Sequence, residues 1–321
     1  MIVVYVNHGL GNQMFQYAYG IVLGQKTSLR NIRFDLSDLD KIIAGRKTND
    51  INKIFKGNFP RCDFWSLWKI TGYCPWIYLY KRKYSAQAES VQRAVRGKTI
   101  FVEEPQERWK ITPELVNELC DMNWVQNENY YVRGYWENVR YFSGYEKLIQ
   151  KHFQFLHEYT AIEKHKYRKL FSENSVAIHV RRGDYLKLQK TDRFDLCGEE
   201  YYREAIEIML DKVENPLFCF FSDDPDYVQK KYSWVKNMTI IKGNKDYIDL
   251  QLMSDCKHNI LANSTFSFWG AFLNSNNDKV VICPRVHYLK FRAKWHEIPF
   301  PAAEKWIKID NHQKNDCDNI F

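Results

Sequence analysis

The chain has 321 residues, of which 45% are hydrophobic and 16% aromatic, enough apolar side chains for the cores of two ordinary domains. This composition excludes an intrinsically disordered protein. The net charge of +8 is moderate and its basic residues are scattered, which argues against a dedicated nucleic-acid binder and suits an anionic small ligand or an anionic membrane surface.

The cysteines and the apolar runs indicate the compartment. The eight cysteines form no C-x-x-C pair, and several lie in apolar runs such as the one around Cys219, which is typical of buried free thiols in a reducing cytosol. The run Met1 to Val6 is too short for a signal peptide and lacks a basic leader and a cleavage site. No stretch reaches about 18 uncharged apolar residues. We therefore expect a cytoplasmic protein without a membrane-spanning helix.

The N-terminal half opens as an α/β layer, in which a strand, a glycine turn and a helix follow one another. Polar and mixed residues at 28–64 predict loops and short helices. The predicted elements are a strand at 2–6, a turn at 9–12, a helix at 13–23 and short strands at 99–102 and 129–132.

From about residue 160 the strands alternate regularly with helices, which predicts a parallel sheet covered on both faces. Residues 146–169 predict one or two helices between the halves, and the polar tail 310–321 is expected to fray. The predicted strands are 176–180, 217–222, 239–241, 259–262 and 280–283, and the predicted helices are 199–213, 249–256 and 265–273.

The most informative motif begins where the strand 176–180 runs into Arg181, Arg182, Gly183 and Asp184. In open α/β sheets the strand ends face the ligand, and a guanidinium offers a planar fork that matches phosphate oxygens. Two adjacent arginines at this point predict a phosphorylated ligand. The alternative interpretation is a solvated loop with ordinary surface charge.

Two helix starts offer further anion sites. Gly11 and Asn12 bring backbone N–H groups to the start of the first helix, although a tight turn without a ligand has the same sequence. Ser264, Thr265 and Phe266 follow a strand and open a helix, where a hydroxyl is normally a structural cap. This helix start shares a sheet edge with Arg181, so both are predicted to converge on the same phosphates.

Three carboxylates also lie at a strand end or a helix start in the second half of the chain. Asp223 and Asp224 end the strand 217–222 and Asp249 opens a predicted helix, so they can accept hydrogen bonds from ribose hydroxyls or from guanine. The structural alternatives are a turn and an N-cap. Asp224-Pro225-Asp226 also spells a D-x-D metal motif, but the neighbouring arginines make a metal unnecessary, so none is expected.

An aromatic-basic tract occupies residues 64–83 and ends in Lys81-Arg82-Lys83. Three interpretations stay open: core packing, a sugar-stacking surface for an acceptor, and a patch that rests on a membrane interface.

Three long stretches resemble the alpha-1,2-fucosyltransferases of glycosyltransferase family 11. Shorter segments, such as Gly134-Tyr135-Trp136, follow the same pattern, and the likeness runs from residue 3 to about 285. Two positions depart from it, since His8 stands where the family usually has glycine and Val286-His287 replaces an aromatic position. The stretches are Gly9–Ala18, His179–Tyr185 and Asp249–Ala271.

The resemblance implies two Rossmann-like domains that face each other across a cleft, an α/β architecture of the GT-B type. It places an acceptor-side domain at 1–160 and a GDP-fucose-binding domain at 161–309. It also implies an inverting reaction without a metal or cofactor. Carried over to this chain, Arg181 holds the diphosphate, His179 and Asp249 contact the guanosine part, and residues 264–266 line phosphate and base.

The expected activity is transfer of L-fucose from GDP-β-L-fucose to the 2-hydroxyl of a terminal galactose, in an oligosaccharide or a lipid-linked glycan. Arg181, Arg182 and the cap at Ser264 are expected to neutralise the departing diphosphate. Asp184 is the first candidate for the general base, and His8 and Glu137 are weaker ones. The alternatives are a non-catalytic nucleotide- or sugar-binding module on the same fold and a nucleic-acid binder. Peripheral contact with the inner membrane face is a further hypothesis.

Overall fold

The structure is a computed structural model that describes residues 1–27, 31–37, 39, 50–71, 99–105, 111–125, 128–183, 197–288, 298–299 and 303–311. The chain divides into two compact units, Met1–Gln154 and Phe155–Phe321. The boundary predicted after residue 160 lies inside the second unit, at the N-cap residue Thr160 of a short helix.

The first unit is built on a parallel sheet. Its strands are β1 (Ile2–Tyr5), β2 (Ile32–Asp35), β3 (Thr99–Glu103) and β4 (Asn129–Arg133). They pair in the order β2-β1-β4-β3. All four residues of the central strand β1 are buried, as expected for a parallel strand that is covered on both faces.

Among the described residues of this unit, the helices are α1 (Leu10–Lys26), α2 (Phe64–Thr71), α3 (Pro113–Asp121) and α4 (Glu146–His152). Short 3-10 turns cover Ile51–Lys53 and Val139–Phe142. Helix α1 begins three residues before the predicted start, because Gly9 serves as its N-cap and the expected tight turn is its first helical turn.

Strand β2 falls where the sequence predicts loops and short helices. Ile32 and Phe34 alternate with Arg33 and Asp35 over only four residues, too short a pattern to mark a strand by itself. Pairing along β1 stabilises it, and the buried Asp35 carboxylate accepts a hydrogen bond of 2.7 Å from the Tyr131 hydroxyl. Tertiary contacts therefore determine that residues 32–35 form a strand.

The second unit contains a six-stranded parallel sheet. Its strands are β5 (Ser175–Val180), β6 (Leu217–Ser222), β7 (Met238–Ile241), β8 (His258–Ile260) and β9 (Val281–Pro284), followed by a separate pair, β10 (Val286–Tyr288) and β11 (Ile298–Pro299), and by β12 (Ile307–Ile309). The order in the sheet is β12-β9-β8-β5-β6-β7.

Among the described residues, helices precede β5 and lie between the successive strands from β5 to β9 along the chain. They are α5 (Ala161–Lys166), α6 (Arg168–Ser172), α7 (Glu199–Lys212), α8 (Pro225–Lys231), α9 (Asp246–Asp255) and α10 (Thr265–Leu273). The region 146–169 therefore belongs to three short helices rather than one or two, and α8 and β12 are not among the predicted elements.

Alternation along β5 divides its side chains between the two faces. Val176, Ile178 and Val180 join the core formed with α7, whereas Ala177 joins the core formed with α9. Both units are thus parallel α/β layers, which confirms the predicted α/β class. Within the described ranges, no helix combines the length and hydropathy needed to cross a bilayer.

Candidate functional site

The arginine pair and the aspartate pair lie beside each other, at the carboxyl ends of β5 and β6. Because these parallel strands pair with Val180 opposite Ser222, the residues after them leave the sheet side by side. Crevices at the carboxyl ends of parallel strands are where α/β folds bind ligands. The structure therefore brings together four of the residues that the sequence predicts.

Asp223 binds both arginines. Its Oδ2 lies 2.9 Å from Arg181 Nη1, and its Oδ1 accepts a hydrogen bond of 2.9 Å from the backbone N–H of Arg182. The two side chains of the ion pair are 28% and 25% exposed, so solvent reaches them. Asp223 orients the arginine, a role that the sequence does not predict.

Gly183 makes this contact possible. A Cβ atom at this position would lie only 2.5 Å from Asp223 Oδ2, closer than real contacts allow. Any side chain here would push the carboxylate away from Arg181. The glycine that follows the two arginines therefore leaves the space that the Asp223 carboxylate occupies.

Arg182 has different partners. Its guanidinium carbon lies 3.4 Å from the centroid of the Tyr227 ring, and its Nε donates to Asp224 Oδ2 at 3.4 Å. Asp224 is also the N-cap of α8, where its Oδ1 accepts from the Tyr227 N–H at 3.1 Å. The first aspartate of the D-x-D motif is thus engaged with a helix cap and an arginine. Arg182 braces α8 against the sheet edge.

His179 lies two residues before Arg181 and is only 5% exposed. Its ring centroid lies 5.7 Å from that of Phe266, at the start of α10. Burial, reinforced by the charge of Arg181, lowers the pKa of His179 to about 3, so the ring is neutral at physiological pH. In the part of the chain that the structure describes, its buried Nδ1 has no hydrogen-bond partner. Because buried polar atoms normally have a partner, this nitrogen can form a hydrogen bond with a bound ligand or a water molecule.

The start of α10 shares this edge because β8, which precedes it, pairs directly with β5. Ser264 is the N-cap residue, and its Oγ accepts from the Phe266 N–H at 3.3 Å. Ser264 and Thr265 are both buried. The cap is structural, as one interpretation predicts, and it also points the positive end of a helix along the same sheet edge.

Asp249 lies in the first turn of α9, three residues after the helix begins at Asp246. Its Oδ1 accepts a hydrogen bond of 2.8 Å from Asn244, whose own Oδ1 accepts from the Tyr167 hydroxyl at 2.7 Å. Burial raises the pKa of Asp249 to about 6. Because the helix begins at Asp246, Asp249 is not its N-cap. The Asp249 carboxylate is ionised only above about pH 6.

Some of the predicted site residues lie in the first unit or outside the described residues. Gly11 and Asn12 belong to the first turn of α1, in the first unit. Asp184, the first candidate for the general base, lies outside the described residues, as do residues 72–83 of the aromatic-basic tract.

A second polar edge lies in the first unit, at the carboxyl ends of β1 and β4. The amide of the fully buried Gln16 joins these strand ends: it accepts from the Asn7 N–H at 2.9 Å and donates to Asn7 Oδ1 at 2.8 Å and to the Gly134 carbonyl at 3.0 Å. The two loops that follow the strands are therefore fixed to each other.

Glu104 anchors the loop after β4. Its Oε2 accepts from the N–H groups of Tyr135 and Trp136, each at 2.8 Å, and its Oε1 accepts from the Tyr141 hydroxyl at 2.9 Å. The side chain is 1% exposed, and this burial raises the pKa of Glu104. A Cβ at Gly134 would lie 2.6 Å from the Cβ of Glu104, so only glycine fits there.

Glu104 and Gln16 are not among the site residues predicted from the sequence, and neither is the hydrogen bond from the Tyr135 N–H to Glu104. One signal was available for Glu104, because it follows the apolar strand 99–103 in the same way that Arg181 follows β5. The glutamine has no comparable signal, since it lies inside a helix.

The chain belongs to glycosyl transferase family 11, whose family model matches residues 105–309. This family membership confirms the resemblance drawn from the motifs. The match covers all the predicted site residues of the second unit.

Two bacterial relatives match along most of their length. The chain is 25% identical to an alpha-1,2-colitosyltransferase of Escherichia coli, over 97% of this chain and 99% of that protein. It is 28% identical to the O-antigen biosynthesis glycosyltransferase WbnK of Escherichia coli, over 86% and 91%. A galactoside alpha-(1,2)-fucosyltransferase 1 of Aotus azarae is 31% identical over 30% of this chain and 28% of that protein.

Among solved structures, the fucosyltransferase NodZ from Bradyrhizobium is similar with a TM-score of 0.51 and 15% identity, over 85% of this chain and 92% of that one. The similarity is one of fold. Together with the two parallel sheets, it confirms the predicted GT-B-type α/β class.

The raised pKa of Asp249 predicts a pH-dependent cost to stability. The carboxyl binds its proton more tightly in the folded chain, so stability falls as pH rises from its ordinary pKa of 3.8 to about 6. The difference corresponds to at most about 3 kcal/mol. Asp249→Asn keeps the hydrogen bond from Asn244 and removes this cost, so the unfolding midpoint should rise by several degrees at pH 7.5.

The effect is measured by thermal unfolding of both proteins between pH 4 and 7.5. The gain should shrink toward pH 4, because the wild-type carboxyl is then protonated in the folded state and partly protonated in the unfolded state. A constant gain at every pH would contradict the assignment.

Proposed function

We propose that this chain is an inverting alpha-1,2-fucosyltransferase that moves L-fucose from GDP-β-L-fucose to the 2-hydroxyl of a terminal galactose. The observation that carries the proposal is Arg181, held by Asp223 at the end of β5 beside the buried, neutral His179. A fixed cation next to an unpartnered polar atom suits the diphosphate and base of a nucleotide sugar. The alpha-1,2 linkage in the names of two relatives supports the regiochemistry.

In this proposal the guanosine part lies against His179, Phe266 and Asp249. His179 Nδ1 can accept or donate one hydrogen bond, according to its tautomer, without the desolvation cost of a charge. Ionised Asp249 can accept from the N–H groups of guanine. Because the pKa of Asp249 is about 6, donor binding should weaken as the pH falls below 6.

The chemical step is a displacement at C1 of fucose. As the bond to the diphosphate lengthens, negative charge grows on the leaving group and positive charge grows on the sugar ring. Arg181 and the N-terminus of α10 at Ser264 would stabilise that negative charge. Arg182 supports them through Tyr227 and Asp224. We propose that these groups carry the reaction without a metal ion.

The proton of the acceptor hydroxyl needs a base or a water molecule. Asp184 is proposed first because it follows Arg181 by three residues, and His8 and Glu137, in the first unit, are the other candidates.

A different donor sugar is the main competing function, because a colitosyltransferase matches this chain along nearly its whole length. Colitose is L-fucose without its 3-hydroxyl group, so both sugars would place the same reacting carbon beside the diphosphate. The other alternative is a non-catalytic module that binds nucleotide or sugar.

An assay of GDP release tests these alternatives together. With lactose as acceptor and EDTA present, we expect GDP release and a fucosylated product from GDP-fucose. Faster transfer from GDP-colitose would reassign the donor. Binding of GDP-fucose without product from any galactoside would instead identify a binding module.

Arg181→Ala should lower kcat by about 10² to 10³, since it removes one fixed donor from the leaving group. Arg203→Ala is the matched control, because that exposed guanidinium lies over the Trp234 ring, 4.5 Å from its centroid, and is not among the proposed site residues. Steady-state kinetics with GDP-fucose and lactose give both values. Near-wild-type turnover of Arg181→Ala would refute the leaving-group role.

The proposal extends to an anionic membrane surface, through the exposed face of α2. Phe64, Trp65 and Trp68 are 40%, 70% and 43% exposed, and the two indole rings stack at 5.6 Å. The opposite face of this helix packs Leu67 and Ile70 into the core. Exposed tryptophans favour the headgroup region of a bilayer, and the net charge of +8 suits anionic lipid.

Flotation with vesicles that contain phosphatidylglycerol tests this contact. Wild type should float with these vesicles, and the double variant Trp65→Ser/Trp68→Ser should lose at least about four-fifths of the bound fraction. Trp234→Ser, which removes another tryptophan that is 39% exposed, should still float. Equal flotation of all three proteins, or of none, would contradict the proposal.

A further inference from the structure

Two residues with left-handed backbone lie on neighbouring loops of the first unit. His8, after β1, has φ +67°, and Trp136, after β4, has φ +58°. Residues other than glycine rarely adopt this conformation, and such strain clusters at functional sites. Since β1 and β4 pair directly, both loops leave the sheet at the same edge.

Buried side chains hold these loops in place. Gln13 Nε2 donates to the His8 carbonyl at 2.8 Å, and Gln16 links Asn7 to the Gly134 carbonyl. Glu104 holds the backbone that leads into the strained residue Trp136, by accepting from its N–H and from that of Tyr135. The backbone of both loops is thus fixed before any ligand arrives.

The fixed loops present a pair of rings. The imidazole of His8 stacks on the phenol of Tyr135, with centroids 5.2 Å apart and planes 23° apart. Their polar edges also meet, since His8 Nε2 lies 3.1 Å from the Tyr135 hydroxyl oxygen. His8 is exposed and Tyr135 is partly exposed, so the pair is not part of the hydrophobic core.

The chemistry of this pair fits a sugar. A pyranose has an apolar C–H face that packs on flat rings and a rim of hydroxyl groups that pair with ring nitrogens and phenols. Both ring edges can donate or accept hydrogen bonds, as a sugar hydroxyl can.

We propose that His8 and Tyr135 form a binding site for the acceptor galactoside and help to determine which acceptor is used. This inference rests on the proposed function, because it assigns a part of the same reaction to the first unit. It also explains why the chain has a strained histidine where the backbone favours glycine.

The substitution His8→Gly tests this inference. His8→Gly removes the ring and also relieves the left-handed strain, so the unfolding midpoint should not fall. We expect the KM for lactose to rise about tenfold, whereas the KM for GDP-fucose should change less than twofold. Tyr135→Phe keeps the stacked ring and loses the hydroxyl, so its KM for lactose should rise less, about threefold.

Asn215→Gly is the matched control. Asn215 is an exposed residue of the second unit, with φ +48°, so the substitution makes the same backbone change outside both sites. Its two KM values should equal those of wild type.

The outcomes separate this inference from the proposed function. If wild type transfers fucose to no galactoside, the proposed function fails first. If wild type is active and His8→Gly keeps its KM for lactose, the acceptor site is refuted. A lower unfolding midpoint with parallel changes in both KM values would also refute it, because that result identifies a purely structural pair.

Discussion

The ion pair between Arg181 and Asp223 is the interaction on which the account of the second unit depends. It exists because β5 and β6 run parallel in a register that ends both strands together. The same carboxylate accepts the N–H of Arg182, so it fixes the backbone of the arginine loop as well as one guanidinium. Gly183 leaves the space that this carboxylate occupies. The contact with Asp223 therefore accounts for the glycine at 183 and for the fixed position of Arg181.

Two titratable groups of the second unit, His179 and Asp249, have shifted pKa values. His179 is held neutral by burial and by the charge of its neighbour Arg181, whereas Asp249 keeps a carboxylate that burial makes expensive. Both features bury polar groups at some cost to stability. In the proposed function a nucleotide would use both, because it offers hydrogen bonds to a neutral ring and donors to a carboxylate.

The sequence predicts the parallel sheets, because apolar strands such as β5 and β6 stand out as uniform runs. It also predicts Arg181 and the Ser264 cap, since strand ends and helix starts have local signals. The sequence does not predict the role of Asp223, because this aspartate is 41 residues away from Arg182 along the chain. Strand β2 and the network around Glu104 also depend on long-range contacts. His8 shows a further limit: its departure from glycine is visible in the sequence, but its left-handed backbone and its partner Tyr135 are visible only in the fold.

The most direct test of the central claim is a crystal structure of the chain with bound GDP. The account predicts diphosphate oxygens within hydrogen-bond distance of the Arg181 guanidinium and of the backbone N–H groups at the start of α10, with the base near His179. It also predicts that Asp223 still binds Arg181. A nucleotide bound away from the carboxyl ends of β5 and β8, or an Arg181 that turns from it toward solvent, would contradict the account.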